Sequence, residues 1–118
     1  MRTGHKTLES MIETAEKRGV SRRGNWEVSY TEYKNQYVNG KYYKLLGYYR
    51  IYHWGTLILE IDMKQYDYHY APIYTAPYVY GQSVSDARGI NAVLTYFGIG
   101  TRYTYKPVNG GFQKVENN

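Results

Sequence analysis

The sequence predicts a single α+β domain, residues 1–118, with two short amphipathic helices and a mainly antiparallel sheet of about five to seven strands. Two segments place apolar residues at i, i+3, i+4 and i+7, the spacing of one helix face, and several others alternate apolar and polar residues as half-buried strands do. Helices and strands do not alternate regularly, which favours helices on one face of an antiparallel sheet over a doubly wound parallel sheet. A chain of 118 residues suits one hydrophobic core.

The first helix is predicted at about residues 8–18. Thr7 can serve as its N-cap, and Gly19 is suited to the left-handed residue that ends many helices. Lys17 and Arg18 lie at the negative end of the helix dipole, where they are favourable. The apolar stripe of this helix consists of Leu8, Met11, Ile12 and Ala15.

The first strands are predicted to follow a basic turn at residues 21–24. Residues 26–31 alternate apolar and polar side chains, as a strand with one buried face does. The dipeptide Asn39-Gly40 is typical of a type I′ turn. It therefore predicts a hairpin whose strands are residues 32–38 and 41–46.

The remaining strands before the second helix are marked by glycine, proline and apolar runs. Gly47 indicates a bulge. Residues 56–62 are the most apolar segment, so we expect them at the centre of the sheet. Residues 66–70 alternate again, and Pro72 and Pro77 interrupt the stretch that follows, which is expected to form a loop or an edge strand.

The second helix is predicted to begin after Ser83, which has capping-box spacing to Asp86. Gly89 weakens the helix locally without breaking it, and Gly98 can end it. Its apolar positions are Ile90, Val93, Leu94 and Phe97.

The end of the chain is predicted to form a second hairpin. Its strands are residues 102–106 and 112–115, joined by the glycine-rich turn at residues 107–111. We expect residues 116–118 to be a frayed tail.

Composition indicates a soluble protein whose surface is rich in half-buried tyrosine. The chain has 17 tyrosines, and each ring buries a large area while its hydroxyl needs water or a partner. The absence of cysteine excludes disulfides, thiolate metal sites and cysteine nucleophiles. No run of 18 apolar residues and no apolar leader occur, so we expect an unexported, cytoplasmic protein with no membrane partner.

The net charge of +5 is distributed unevenly along the chain. Residues 1–50 contain ten basic and five acidic residues, residues 51–90 contain two and four, and residues 91–118 contain three and one. This concentration predicts a basic face directed toward an acidic partner.

No residue pattern indicates a catalytic centre, a metal site or a cofactor site. The histidines lack metal-ligand spacing, although a pair formed by His53 and His69 across neighbouring strands is an alternative. Glu60 and Asp62 share one face of a strand, as either a general acid–base pair or part of a solvated face. We expect a protein that is not an enzyme.

The interleaving of tyrosine with lysine and arginine is the pattern that points to binding. Cations neutralise phosphates and aromatic rings stack on exposed bases, which favours nucleic acid as the partner. Tyrosine and arginine are also enriched at protein interfaces. A purely structural interpretation remains, with tyrosine promoting strands and lysine protecting an edge.

We expect these side chains to form a positively biased plane. The predicted binding residues are Arg22, Arg23, Lys34, Lys41, Tyr42, Tyr43, Lys44, Tyr48, Tyr49 and Arg50.

Three segments resemble small proteins encoded by bacteriophages and conjugative elements of Gram-positive bacteria. They are residues 52–62 (YHWGTLILEID), residues 83–91 (SVSDARGIN) and residues 94–98, and the resemblance covers roughly the last two thirds of the chain. By analogy with other small cysteine-free proteins of such elements, it implies an anti-defence role, anti-CRISPR activity included. Because the chain is basic, imitation of a phosphate backbone is not expected.

Two functional hypotheses result. In the first, the chain is a non-enzymatic binding protein of a phage or mobile element that inhibits or modulates a host nucleoprotein complex, such as a CRISPR nuclease. In the second, it is a module that binds single-stranded or duplex DNA or RNA directly. Both place the protein in the cytoplasm of the bacterial host, and the sequence leaves room for a homo-oligomer.

Overall fold

The computed structural model describes residues 5–32, 36–38, 41–65 and 71–115, with the backbone alone for residues 36–38, 41–46, 65 and 109. Within these residues the predicted α+β class, with two helices and antiparallel strands, is confirmed. The helices are α1 (Lys6–Arg18) and α2 (Val84–Tyr96). The strands are β1 (Val20–Arg23), β2 (Trp26–Glu32), β3 (Gln36–Val38), β4 (Lys41–His53), β5 (Thr56–Gln65), β6 (Ile73–Val79), β7 (Arg102–Lys106) and β8 (Gly111–Val115).

The main sheet has the strand order β1-β2-β4-β5-β6, and β3 pairs with the first part of β4. Strands β7 and β8 form a separate hairpin, and every pairing is antiparallel. The middle position belongs to β4, which pairs with β2 on one side and β5 on the other. The expected central position of residues 56–62 was therefore wrong, because β5 lies one strand closer to the β6 edge.

Both helices pack against one face of the main sheet and leave the other face without a helix. The α1 stripe is buried as predicted, and α2 contributes Ile90, Val93 and Leu94. The sheet contributes its inward positions, among them Val28, Ile51 and Ile61. Neither helix of the described residues is long and apolar enough to cross a membrane.

The helix ends agree with the predictions except at the start of α1. That helix begins two residues earlier than expected, and its N-cap is His5, whose Nδ1 accepts a hydrogen bond from the Leu8 backbone at 3.3 Å. Gly19 ends it in the left-handed conformation, as predicted. Ser83 caps α2 by accepting a hydrogen bond from the backbone of Asp86.

Two strand predictions are confirmed and one is wrong. The predicted basic turn at residues 21–24 is mostly β1, which pairs with β2 through a turn at Gly24 and Asn25. The register between β4 and β5 shifts before Gly47, which confirms the bulge. The segment with Pro77 is the edge strand β6. The predicted strand at residues 66–70, the turn at residues 39 and 40 and the tail at residues 116–118 lie outside the described residues.

Candidate binding surface

The alternation of β4 separates the predicted binding residues onto two faces of the sheet. Tyr48 and Arg50 point away from the helices, whereas Tyr49 between them is 3% exposed and lies in the core. Neighbouring strand residues point to opposite faces, so Tyr48 and Tyr49 cannot share one surface. Tyr49 therefore does not belong to the binding surface, and that part of the prediction was wrong.

Tyr49 instead joins the sheet to both helices. Its hydroxyl donates a hydrogen bond to Glu16 Oε1 at 2.8 Å, and its ring lies 4.8 Å from the ring of Phe97. Burial, followed by the hydrogen bond and the charge of Glu16, raises the pKa of Tyr49 above its ordinary value of 10.0. This tyrosine is a structural element of the core.

The helix-free side of the main sheet, which we call the open face, carries the other outward-pointing side chains. Cross-strand register places Arg50 opposite Glu60 and Tyr48 opposite Asp62. The Arg50 guanidinium also lies 4.6 Å from the centre of the Tyr48 ring, a cation–π contact. The described side chains of the open face are Val20, Arg22, Glu27, Ser29, Thr31, Tyr48, Arg50, Tyr52, Leu57, Glu60, Asp62, Lys64, Ile73, Thr75 and Tyr78.

The charges on the described part of the open face are balanced. Arg22, Arg50 and Lys64 stand against Glu27, Glu60 and Asp62. Arg22 Nε lies 2.6 Å from Glu27 Oε1, and Arg50 Nε lies 3.3 Å from Glu60 Oε1. Burial and the nearby charge of Glu60 raise the pKa of Asp62. For these residues the expected positively biased plane was wrong, because strand pairing brings acidic residues next to the basic ones.

The remaining predicted residues are divided between an edge and the part of β4 whose backbone alone is described. Arg23 is exposed, but its register opposite Trp26 puts it on the helix side of edge strand β1. Lys34 lies outside the described residues. Lys41, Tyr42, Tyr43 and Lys44 belong to β4 beside β3, and their side chains lie outside the description.

Two hairpin turns meet at one end of the open face. The backbone N–H of Trp54, in the β4–β5 turn, donates to the carbonyl of Asn25, in the β1–β2 turn, at 2.8 Å. Trp54 has a φ of 53° and is 73% exposed, and it is the one non-glycine residue of the described chain with positive φ. The left-handed conformation costs a residue with a Cβ about 1–2 kcal/mol. An exposed indole is thus held on a strained turn.

A groove of about 580 Å³ lies between these turns, and we call it the turn groove. Tyr52 and Trp54 provide aromatic walls, and the Arg22–Glu27 ion pair provides polar groups. Trp26 and the two turn backbones complete the lining. Because Arg22, Glu27 and Tyr52 belong to both surfaces, the turn groove continues directly into the open face.

A buried histidine–aspartate pair anchors this end of the sheet to α2. His53 Nδ1 lies 2.5 Å from Asp86 Oδ1, and the two residues are 5% and 7% exposed. The indole of Trp26 stacks on the imidazole with ring centroids 3.8 Å apart. Asp86 Oδ2 also accepts a hydrogen bond from the backbone of Gln82 at 2.8 Å. The pair therefore fixes the end of β4, directly before the turn that contains Trp54.

The contacts of His53 and Glu60 bear on the chemistry that the described residues could carry out. A histidine–aspartate pair can activate a nucleophile, but among the described residues no hydroxyl group hydrogen-bonds to His53. Glu60 is engaged with Arg50. Within the described ranges no three His, Asp or Glu side chains converge as a metal site, and His69 lies outside those ranges.

Of the residues that line the turn groove, only Arg22 belongs to the binding residues predicted from the sequence. Neither Tyr52 nor Trp54 belongs to the predicted set. The available signal was a tryptophan beside Gly55 in a short turn, where asparagine or glycine is usual. No family model, no curated protein and no solved structure matches the chain.

Proposed function

We propose that this chain is a binding protein that docks a protein partner on its turn groove and the adjoining open face. The observation that carries the proposal is the placement of Trp54. Its side chain is 73% exposed, and its backbone has a left-handed conformation that is unfavourable for tryptophan. Strained backbone of this kind clusters at ligand clamps and other functional sites. Tryptophan is also enriched among the residues that dominate the energy of protein interfaces.

The balance of charge favours protein over nucleic acid as the direct contact. Affinity for nucleic acid depends on cations that neutralise phosphates. On the open face Arg22 and Arg50 already face Glu27 and Glu60, and an approaching phosphate would meet these carboxylates as well. A partner protein can present charges of both signs to the open face and an apolar residue to the indole of Trp54. Such a surface complements the open face better than a row of phosphates does.

The partner within this proposal is a host protein or nucleoprotein complex of the bacterial cytoplasm, such as a CRISPR nuclease. Binding of this chain would inhibit or modulate the activity of that partner. Support comes from the resemblance of residues 52–62 to proteins of mobile elements, a segment that includes Tyr52 and Trp54. Direct binding of DNA or RNA is the alternative outcome of the experiment below.

The experiment compares capture of host proteins by the wild-type chain, Trp54→Asn and Val108→Asn. Val108 is 94% exposed in the turn before β8 and serves as the matched control, because its replacement also removes an exposed apolar residue from a turn. We expect the captured partner to bind Trp54→Asn at least about tenfold more weakly and Val108→Asn with unchanged affinity.

Equal capture by all three proteins would contradict the proposal. A parallel salt titration with single-stranded and duplex oligonucleotides separates the alternative. Binding that weakens steeply with salt and does not need Trp54 would identify a nucleic-acid module instead.

A further inference from the structure

A second cavity, of about 350 Å³, lies between α2 and the β7–β8 hairpin. We call it the hairpin cleft. Its lining includes Arg88 and Asn91 from α2 and Arg102 and Tyr103 from β7. Helix α2 covers the buried face of the sheet, so this cleft belongs to the opposite side of the molecule from the open face.

The hairpin cleft has two arginines in its described lining and no carboxylate beside them there. Arg88 and Arg102 are both exposed, and among the residues that the structure describes no Asp or Glu lines the cleft. Among the residues that the structure describes, neither guanidinium forms an ion pair, unlike those of Arg22 and Arg50. Two like charges beside one cavity repel each other, and a bound anion would relieve that repulsion.

An amide clamp ties the helix that carries Arg88 to the strand that carries Arg102. Asn91 Nδ2 donates to the backbone carbonyl of Tyr103 at 2.8 Å, and the backbone N–H of Tyr103 donates to Asn91 Oδ1, also at 2.8 Å. The ring of Tyr103 stacks on Phe112, with centroids 5.0 Å apart. Arg88 lies one turn before Asn91, and Arg102 directly precedes Tyr103, so the clamp fixes the backbone positions from which both arginine side chains extend.

Apolar side chains border the same cavity. Val84 is 54% exposed and Val115 is 40% exposed, and both line the hairpin cleft. A ligand that covered them would remove apolar surface from water while its charged group met the arginines. The lining therefore combines charge complementarity for an anion with space for a hydrophobic neighbour.

We propose that the hairpin cleft binds an anionic group, carboxylate or phosphate, carried on an apolar body. Guanidinium groups bind both anions with paired, charge-assisted hydrogen bonds. This site is separate from the turn groove, so its failure would leave the proposed protein-binding function untouched.

The test is an NMR titration of the full chain with acetate, hexanoate, inorganic phosphate and hexyl phosphate. We expect saturable shifts centred on Arg88, Asn91, Arg102 and Tyr103. Hexanoate and hexyl phosphate should bind about tenfold more tightly than acetate and phosphate, since they cover Val84 and Val115. Whichever of hexanoate and hexyl phosphate binds with the higher affinity shows whether the site prefers a carboxylate or a phosphate.

Two arginine variants and one control make the test specific. Arg88→Gln and Arg102→Gln should each weaken hexanoate binding about tenfold. Arg18→Gln removes the same charge from an exposed position at the end of α1 and should leave binding unchanged. Equal weakening by Arg18→Gln, shifts spread over all basic residues, or no advantage of the hexyl compounds would overturn the proposal.

Discussion

His53 Nδ1 lies 2.5 Å from Asp86 Oδ1, and this contact joins the middle strand of the sheet to the first turn of helix α2. The two residues are 33 positions apart in the chain. Trp26 stacks on the imidazole of His53, and Trp54 directly follows His53 in the chain. Both tryptophans of the turn groove are therefore next to the buried His53–Asp86 pair. The proposed recognition site depends on the integrity of this pair.

Asp86→Ala should lower the free energy of unfolding by about 3 kcal/mol, because it leaves the buried His53 and the backbone N–H of Gln82 without their partner. Urea denaturation monitored by tryptophan fluorescence measures the change. Asp62→Asn on the open face is the control and should change stability by less than about 0.5 kcal/mol. An Asp86→Ala protein that unfolds at the wild-type urea concentration would show that the pair contributes nothing to stability.

Gly89→Ala should destabilise the protein although alanine is the better helix former by about 1 kcal/mol. A Cβ at this position would collide with the indole of Trp26, contacting Cη2 and lying 2.9 Å from Cζ3. The indole is also stacked on the imidazole of His53, with ring centroids 3.8 Å apart, which limits how far it can shift. Gly100→Ala is the matched control, since a Cβ there meets no atom within 4 Å. A higher melting temperature for Gly89→Ala would contradict the collision.

Trp54→Asn should raise the free energy of unfolding by up to about 1 kcal/mol, since asparagine accepts the left-handed conformation far more readily than tryptophan. Trp54→Gly should act in the same direction. Thermal and urea denaturation measure both variants. A loss of stability in both would mean that the indole holds the turn together, and it would remove strain as an argument for function.

Tyr49→Phe should weaken the fold at neutral pH by about 1 kcal/mol, the usual worth of one hydrogen bond, here the bond to Glu16. The raised pKa of Tyr49 also predicts a pH effect. Above the ordinary tyrosine pKa the unfolded chain releases a proton that the folded chain keeps, so wild-type stability should fall as pH rises above about 10. In Tyr49→Phe this fall should be shallower.

Urea denaturation at neutral pH and at a series of alkaline pH values measures both effects. Val108→Asn, which removes no ionisable group, is the control and should keep the wild-type pH dependence. An identical alkaline fall in the wild type and in Tyr49→Phe would contradict the assignment of this proton to Tyr49.

Local patterns predicted the elements of the fold well, because spacing, caps and turns depend on residues close in the chain. The stripe of α1, the left-handed Gly19, the Ser83 cap and the bulge at Gly47 are all of this kind. The order of strands is different, since it depends on which segments pair across long distances. The middle position of β4 had no local signal.

The candidate site was predicted less well for a related reason. Composition indicated an aromatic and basic surface. Which β4 residues face the helices depends on where the alternation of the strand starts, and this places Tyr48 on the open face and Tyr49 in the core. The pairing of Arg50 with Glu60 depends on register, so the sequence could not show that the charges would cancel. The sequence explains Asp86 by its capping-box spacing to Ser83, and nothing in the sequence indicated a second contact, with His53.

The borders of the main sheet differ from its interior in a way that affects association between copies. On one side β1 has only four residues, two of them arginine, and on the other β6 contains Pro77, which has no N–H to donate. Short, charged or proline-containing borders discourage the addition of a strand from another molecule. Growth into a continuous intermolecular sheet is therefore disfavoured at both ends, although the broad surface between them carries exposed aromatic and aliphatic groups.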